Sequence, residues 1–328
     1  MEEKREETVE KGKKNHRAYL ISDHLDVYIA TSMRERHEFV FVHRTTRDIF
    51  SHESLINLKL RWFDPTQAYC ENRIDKGLAE GLMLRRAKCT VYFAQETDTL
   101  GKDSELACTL AQGKPVIAFV PRPLETAARD IVDQLCLQGS SRPQAILQQL
   151  RLYEPNSAWA DVEVRSWLND PSSIPQDSAI ARLQASMQRH FEQRNRMLRD
   201  VHPLGIQINL QTGVANGVLV ANSVEQCARL IRALLLRELE FELDADASSG
   251  GTGYVYLREK ISNSIFRVVT GDAFLTNAFW NFYLNPTEES YTGNDDDDYK
   301  KSPNDPYDLT RSASWQGNLF DYSDELNR

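Results

Sequence analysis

The chain has 328 residues and a formal net charge of −9 at pH 7; that length accommodates two domains or one with appendages, and the charge argues against nonspecific nucleic-acid binding by the whole molecule. Hydrophobic residues make up 41% and charged residues 27%, so most of the chain has a folding composition. No apolar run reaches a membrane span, and the charged start MEEKREETVEKGKKNH lacks the apolar core of a secretory signal. The five cysteines are widely spaced, with no CxxC pair and no Cys/His ligand cluster, and read as reduced thiols of a cytoplasmic protein without a metal site.

In chain order, residues 1–22 are a polar leader. LDVYIATS at 25–32 is a β-rich run. The spacing of Phe39, Val42, Ile49 and Phe50 predicts a helix over 34–58. LKLRWFDPT then alternates apolar and polar residues and stops at the turn signal Asp64-Pro65. A helix is expected at 74–87, with Leu78, Ala79, Leu82 and Met83 on one stripe and Arg85, Arg86 and Lys88 where cations suit its dipole. CTVYFAQ at 89–95 is a continuous apolar strand of the kind covered on both faces. A polar loop, a helix at 104–112 stopped by Gly113 and the strand PVIAFVP follow. Strand and helix alternate four times, which predicts an α/β domain over 23–122 with a doubly wound, mostly parallel, flavodoxin-like sheet.

Residues 123–201 read as a helical connector, with a loop at 169–175 and a long charged helix at 177–198. Residues 202–285 read as a smaller C-terminal α+β domain. Its strands are expected at 205–210, 217–221, 240–243, 254–257 and 265–270, with a helix at 224–239 and an aromatic-rich stretch at 272–284. The composition of 286–328, rich in Asp, Asn, Ser, Pro and Tyr, is that of an acidic disordered tail. Its Trp315, Leu319, Phe320 and Tyr322 read either as a motif that orders on a partner or as incidental aromatics.

Parallel topology brings three loops to one rim, where open sheets bind ligands. They are Thr31-Ser32-Met33-Arg34, Asp64-Pro65-Thr66 and the segment 98–105. Hydroxyls, an arginine, helix N–H groups and carboxylates at that rim suit a ribose and phosphates. Ser32, Met33, Arg34, Asp64 and Ser104 are therefore candidate substrate contacts. Plainer roles stay open: a helix cap for Ser32, a surface cation for Arg34, the start of the Asp-Pro turn for Asp64. Glu105, in the first turn of its expected helix, is a candidate nucleophile or oxocarbenium stabiliser, or an acid that only suits the helix dipole. Gly101-Lys102-Asp103-Ser104 lacks the upstream glycine and spacing of a phosphate-binding P-loop.

ETDTLGKDSELACTLAQGKPVIAFV at 96–120 resembles the catalytic stretch of the nucleoside 2-deoxyribosyltransferase family. There an acidic, Gly-containing loop leads to a helix-borne Glu and a small-residue helix closing on GKPV. The matching residues are Asp98, Gly101, Glu105, Ala111 and Gly113-Lys114-Pro115-Val116. DVYIATSM resembles that family's first strand and nucleoside-contacting turn, and the architecture is also similar to Toll/interleukin-receptor-type domains that cleave nicotinamide dinucleotide. The resemblance covers 25–121. It implies chemistry at an N-glycosidic bond, with Glu105 catalytic and Asp98 or Asp103 as partner carboxylate. The loop lacks the compact Asp-x-Gly-Thr arrangement of the transferases, so both aspartates stand. A carboxylate beneath the sugar stabilises the oxocarbenium ion or adds to it, and a place near the helix N-terminus is expected to keep Glu105 ionised.

The implied substrate is NAD or another nucleotide, with no cofactor and no membrane. The implied partners are a second protein or a second copy, through the C-terminal domain and tail. By analogy with such effectors, the extra regions suit a regulated toxin in bacterial antiphage defence. A non-catalytic nucleotide sensor or a scaffold would use the same rim without turnover.

Overall fold

The computed structural model of the chain describes residues 2–96, 99–124, 126–200, 207–209, 214–216, 218–244 and 256–268. The first half runs α1 (Glu2–Ile21), β1 (Leu25–Ala30), α2 (Arg36–Phe50), α3 (Glu53–Ile56), β2 (Trp62–Phe63), α4 (Arg73–Arg86), β3 (Ala87–Phe93), α5 (Leu100–Ala111) and β4 (Val116–Phe119). A helical stretch follows: α6 (Ala127–Leu137), α7 (Arg142–Tyr153), α8 (Ser157–Ala160), α9 (Val162–Asn169) and α10 (Gln176–Asp200). The last elements are β5 (Gln207–Asn209), β6 (Val214–Asn216), β7 (Val218–Ala221), α11 (Val224–Leu235), β8 (Phe241–Leu243), β9 (Tyr256–Glu259) and β10 (Ile265–Val268).

Five strands form a parallel sheet in the order β2-β1-β3-β4-β7. Counted within the sheet this is 2-1-3-4-5, an order whose direction reverses between β1 and β3. The two-residue period of a strand sorts its side chains onto two cores. Val27, Ile29, Cys89 and Val91 face α2, α3 and α11. Tyr28, Ala30, Tyr92 and Ala94 share the other face with Tyr19 of α1, Met83 of α4, Leu106 and Leu110 of α5 and Phe191 of α10. The α/β expectation holds as a mostly parallel sheet flanked by helices.

Several local expectations change. The polar leader is a 20-residue helix that buries Gly12, Asn15 and Tyr19. Asn15 donates to the Gln67 carbonyl at 2.8 Å, a tertiary anchor that a sequence so poor in apolar periodicity does not announce. The expected helix at 34–58 divides, because His52 caps a new turn by accepting the Ser54 N–H. β2 shrinks to Trp62 and Phe63, since the chain takes a left-handed turn at Lys59, φ 51°. On α4 the buried set is Ala79, Met83 and Leu84, while Leu78 of the expected stripe stays exposed. Gly113 does terminate α5, at φ +71°.

The boundary expected at 202 needs correction. β7 pairs in parallel with β4, Ile117 opposite Leu219, and α11 packs on α2 and α3. These elements complete the parallel sheet instead of belonging to a separate C-terminal unit. The physical reason is burial: all four residues of β7 are inside, and so are Cys227, Leu230, Ile231 and Leu234 of α11. The connector forms its own core of Val132, Ile146, Leu150, Trp167 and Leu183. The remaining strands make a second, mostly antiparallel sheet, β6-β5-β10-β9-β8. It joins the first through Phe266 and a bond that the Val220 N–H donates to the Ser264 hydroxyl oxygen, 3.3 Å. The aromatic stretch at 272–284 and the tail at 286–328 lie outside the described residues. Among the described residues no helix is long and apolar enough to cross a membrane.

Candidate functional site

Helix α5 carries the centre of the site. Thr99 caps it, accepting the Lys102 N–H at 3.2 Å. The helix therefore starts at Leu100, ahead of the expected start at Ser104, and Glu105 is its sixth residue. This corrects the dipole argument, which reaches only the first turn; the acid placed there is Asp103. Counting from Thr99, the sheet-facing stripe is Lys102, Glu105, Leu106, Thr109 and Leu110. Glu105 thus points toward the sheet, half-buried.

The Tyr28 hydroxyl donates to Glu105 Oε1 at 2.8 Å. Tyr28 is held in turn by stacking on Phe63, with ring centroids 5.1 Å apart, and Phe63 meets Tyr19 edge-on at 4.8 Å. Burial pushes the Glu105 carboxyl up to about 7; the Tyr28 bond pulls the other way and the charge of Glu80 adds to the rise. Burial also raises Glu80, against the pull of Lys76 at 3.6 Å. One strand over, Tyr92 donates to Asp103 Oδ1 at 2.9 Å. The buried ammonium of Lys102 donates to the Phe93 carbonyl at 3.1 Å and stands 4.8 Å from the Tyr92 ring centre. Burial lowers it to about 8.

The other candidates divide. Ser32 is buried at the reversal point, and Gln95 staples it: Gln95 Oε1 accepts the Ser32 N–H at 2.7 Å and Gln95 Nε2 donates to the Ser32 carbonyl at 2.8 Å. The Ser32 hydroxyl itself is buried and has no hydrogen-bond partner among the described residues. Met33 is half-buried and Arg34 exposed; the Arg34 N–H donates to Glu38 Oε2 at 2.7 Å. Asp64 is buried and takes the turn role, accepting the Thr66 N–H at 2.8 Å with His43 Nδ1 3.8 Å from its other oxygen. Ser104 is exposed and bonds back to the Leu100 carbonyl. Asp98 lies outside the described residues.

Beside this group, at the carboxyl ends of β3 and β4, lies a cavity of about 590 Å³. None of the described sequence candidates lines it. Its walls include His37, Glu38 and Phe41 of α2, Gln95 and Glu96 after β3, and Phe191 of α10. His37 Nε2 stands 3.6 Å from Glu96 Oε1. Burial opposes the charged ring, yet the neighbouring carboxylate outweighs it and holds His37 above its ordinary range. Glu96 is correspondingly held low, against its own burial.

Tyr28, Tyr92, Glu80, Lys102 and the His37–Glu96 pair are absent from the sequence candidates. The tyrosines had a readable signal: period-two alternation places both near the ends of neighbouring parallel strands, on the α5 face. The others carry none without tertiary contacts. Among the described residues no cluster of His, Cys, Asp and Glu is grouped to hold a metal ion. No family model matches the chain, and no curated protein or solved structure matches it.

Proposed function

We propose that the protein cleaves the N-glycosidic bond between base and ribose in a nucleotide, NAD or another, with Glu105 as the reacting carboxylate. The observation that carries this reading is the Tyr28–Glu105 pair at 2.8 Å, half-buried at the ligand-binding edge of a parallel sheet. We read that sheet as doubly wound and flavodoxin-like. The ionised carboxylate adds to C1′ as the carbon–nitrogen bond breaks, and the bond's electron pair leaves with the base. Water then opens the glycosyl ester, and the proton released goes to solvent or to the departed base. Tyr28 fixes the carboxylate's position and keeps part of its charge in place. A carboxyl near pH 7 in its titration is also suited to handing a proton between the two steps. Asp103, with Asp98 as the other candidate, is the partner carboxylate of this proposal, and Ser32, Met33 and Arg34 are its substrate contacts.

The connector and second sheet add mass that the chemistry itself does not require. On that ground we read the protein as a regulated effector that depletes a nucleotide in bacterial antiphage defence, engaging a partner or a second copy through its C-terminal region. The test is release of free base from a panel of NAD, nucleosides and nucleotides, followed by chromatography, for the full chain and for Glu105→Gln. Loss of release in the variant supports the enzyme. Saturable binding with no base release by either protein identifies a nucleotide sensor instead.

A further inference from the structure

The cavity between α2, α6 and α10 shares no wall with Glu105, so what it does is a separate question from glycosidic cleavage. Its volume of about 590 Å³ falls within the range of small-molecule sites, and the surface it exposes is mostly apolar although half of its lining residues are polar or charged. Phe41, Ile131, Met187 and Phe191 supply broad hydrophobic faces from three different helices. Such faces suit a flat ring system.

The charges select among flat ligands. Glu38, Glu96, Asp130 and Asp133 stand against Arg44, Arg122 and His37. The N-terminus of α2, a natural anion seat, is closed, because Glu38 Oε2 already accepts the N–H groups of Arg34 at 2.7 Å and Glu35 at 3.0 Å. A phosphate chain would add negative charge to a wall that carries four carboxylates against two guanidiniums and His37; at the α6 N-terminus, where Ala127 lines the cavity, Asp130 in the first turn already supplies the negative charge. A heterocycle with no phosphate meets no such cost, and a positive ring gains from the carboxylates.

We propose that this cavity is a second ligand site, taking a neutral or cationic flat heterocycle of about nucleoside size and excluding its phosphorylated forms. Its position gives the ligand mechanical reach. One wall is α2 on the parallel sheet, the other is α6 and α10 of the connector. Between them, at the end of β3, is Gln95, the residue that staples Ser32.

Titration calorimetry on the full chain tests this, with adenosine, guanosine, cytidine, uridine and nicotinamide riboside as probes, each beside its 5′-monophosphate. At least one nucleoside is expected to bind at least tenfold more tightly than its monophosphate. Filling the cavity with Ala127→Trp is expected to abolish that binding, and the milder Phe41→Ala to weaken it should the tryptophan variant not fold. Glu105→Gln is expected to leave it unchanged. Absence of binding by all five nucleosides overturns the proposal, as does a monophosphate that binds more tightly than its nucleoside and loses that binding in the cavity variants. Binding removed by Glu105→Gln but untouched by the cavity variants overturns it too, while placing the ligand at Glu105 and so favouring the glycosidase reading.

Discussion

Asp26 and Glu105 are both carboxylates engaged with strand β1, one toward each end of the parallel sheet, and their partners differ in kind. Asp26, at the amino end, accepts from Lys88 Nζ and from the Arg61 backbone N–H, each at 2.7 Å. The cations around it are spent on structure. Arg61 reaches Asp23 at 2.6 Å, Lys114 caps the last carbonyls of α4, and Arg86 caps those of α1. Glu105, toward the carboxyl end, has a neutral hydroxyl as its bonded partner, and burial holds it near neutral pH. Toward the same end of the sheet are the Ser32 hydroxyl, with no partner among the described residues, and an open cavity. A buried charge that is fully paired serves the fold. One that is buried and only partly compensated costs stability, and such groups gather at functional sites.

The strongest way to break this comparison is Glu105→Gln. Under the proposed chemistry, base release falls about 10³-fold or more, roughly 4 kcal/mol of barrier, while the far-ultraviolet circular dichroism spectrum is unchanged. A variant retaining a tenth of the wild-type rate would remove Glu105 from the reaction.

Asp26→Ala comes next and acts on the other end. It removes the carboxylate that the buried Lys88 ammonium and the Arg61 backbone N–H share and is expected to cost about 3–5 kcal/mol in urea denaturation. Adding Lys88→Met should restore most of that loss. An unrecovered double variant would mean that Asp26 acts mainly through the Arg61 N–H.

The third expectation concerns stability against pH. The Glu105 carboxyl titrates near 7 in the folded chain against 4.5 when free, so the folded state holds its proton more tightly. That contribution is fully present below about 4.5 and is lost as pH rises through 7. Glu105→Gln, which cannot ionise, should therefore be more stable than wild type at pH 8, by about 1–2 kcal/mol after allowance for partial exposure. At pH 4 the two should be equal. Equal melting temperatures at both values would place Glu105 in a better-compensated environment than its neighbours suggest.

Tyr28→Phe sharpens the same point with the smallest effect. Its hydroxyl lowers the Glu105 titration, so its removal moves the acid limb of the pH–rate profile upward. Above that limb the rate should change less than about tenfold, the size of one hydrogen bond. An unmoved limb with a uniformly lower rate would make Tyr28 a packing residue only.

The strands β1, β3 and β4 and the helix stop at Gly113 are legible in the sequence, because continuous apolar runs and a glycine past a helix end are local signals. Glu105 is legible as a residue but its surroundings are not. A shift of the helix start from Ser104 to Leu100 moves it out of the dipole's reach and onto the sheet-facing stripe, where Tyr28 and burial set its charge. Asp64 shows the converse: the local Asp-Pro signal describes its role well, and the structure shows its carboxylate engaged in that turn.

By itself the sequence determines the strands β1, β3 and β4 and that strand and helix layer as an α/β sheet, since hydrophobic period and turn chemistry act over a few residues. Only the tertiary structure decides that Val218–Ala221 returns to close the parallel sheet, that the polar leader is a docked helix, and that one rim divides into a carboxylate site and a separate cavity. Those outcomes depend on pairings between residues a hundred positions apart, such as Ile117 with Leu219, for which no local pattern carries a sign.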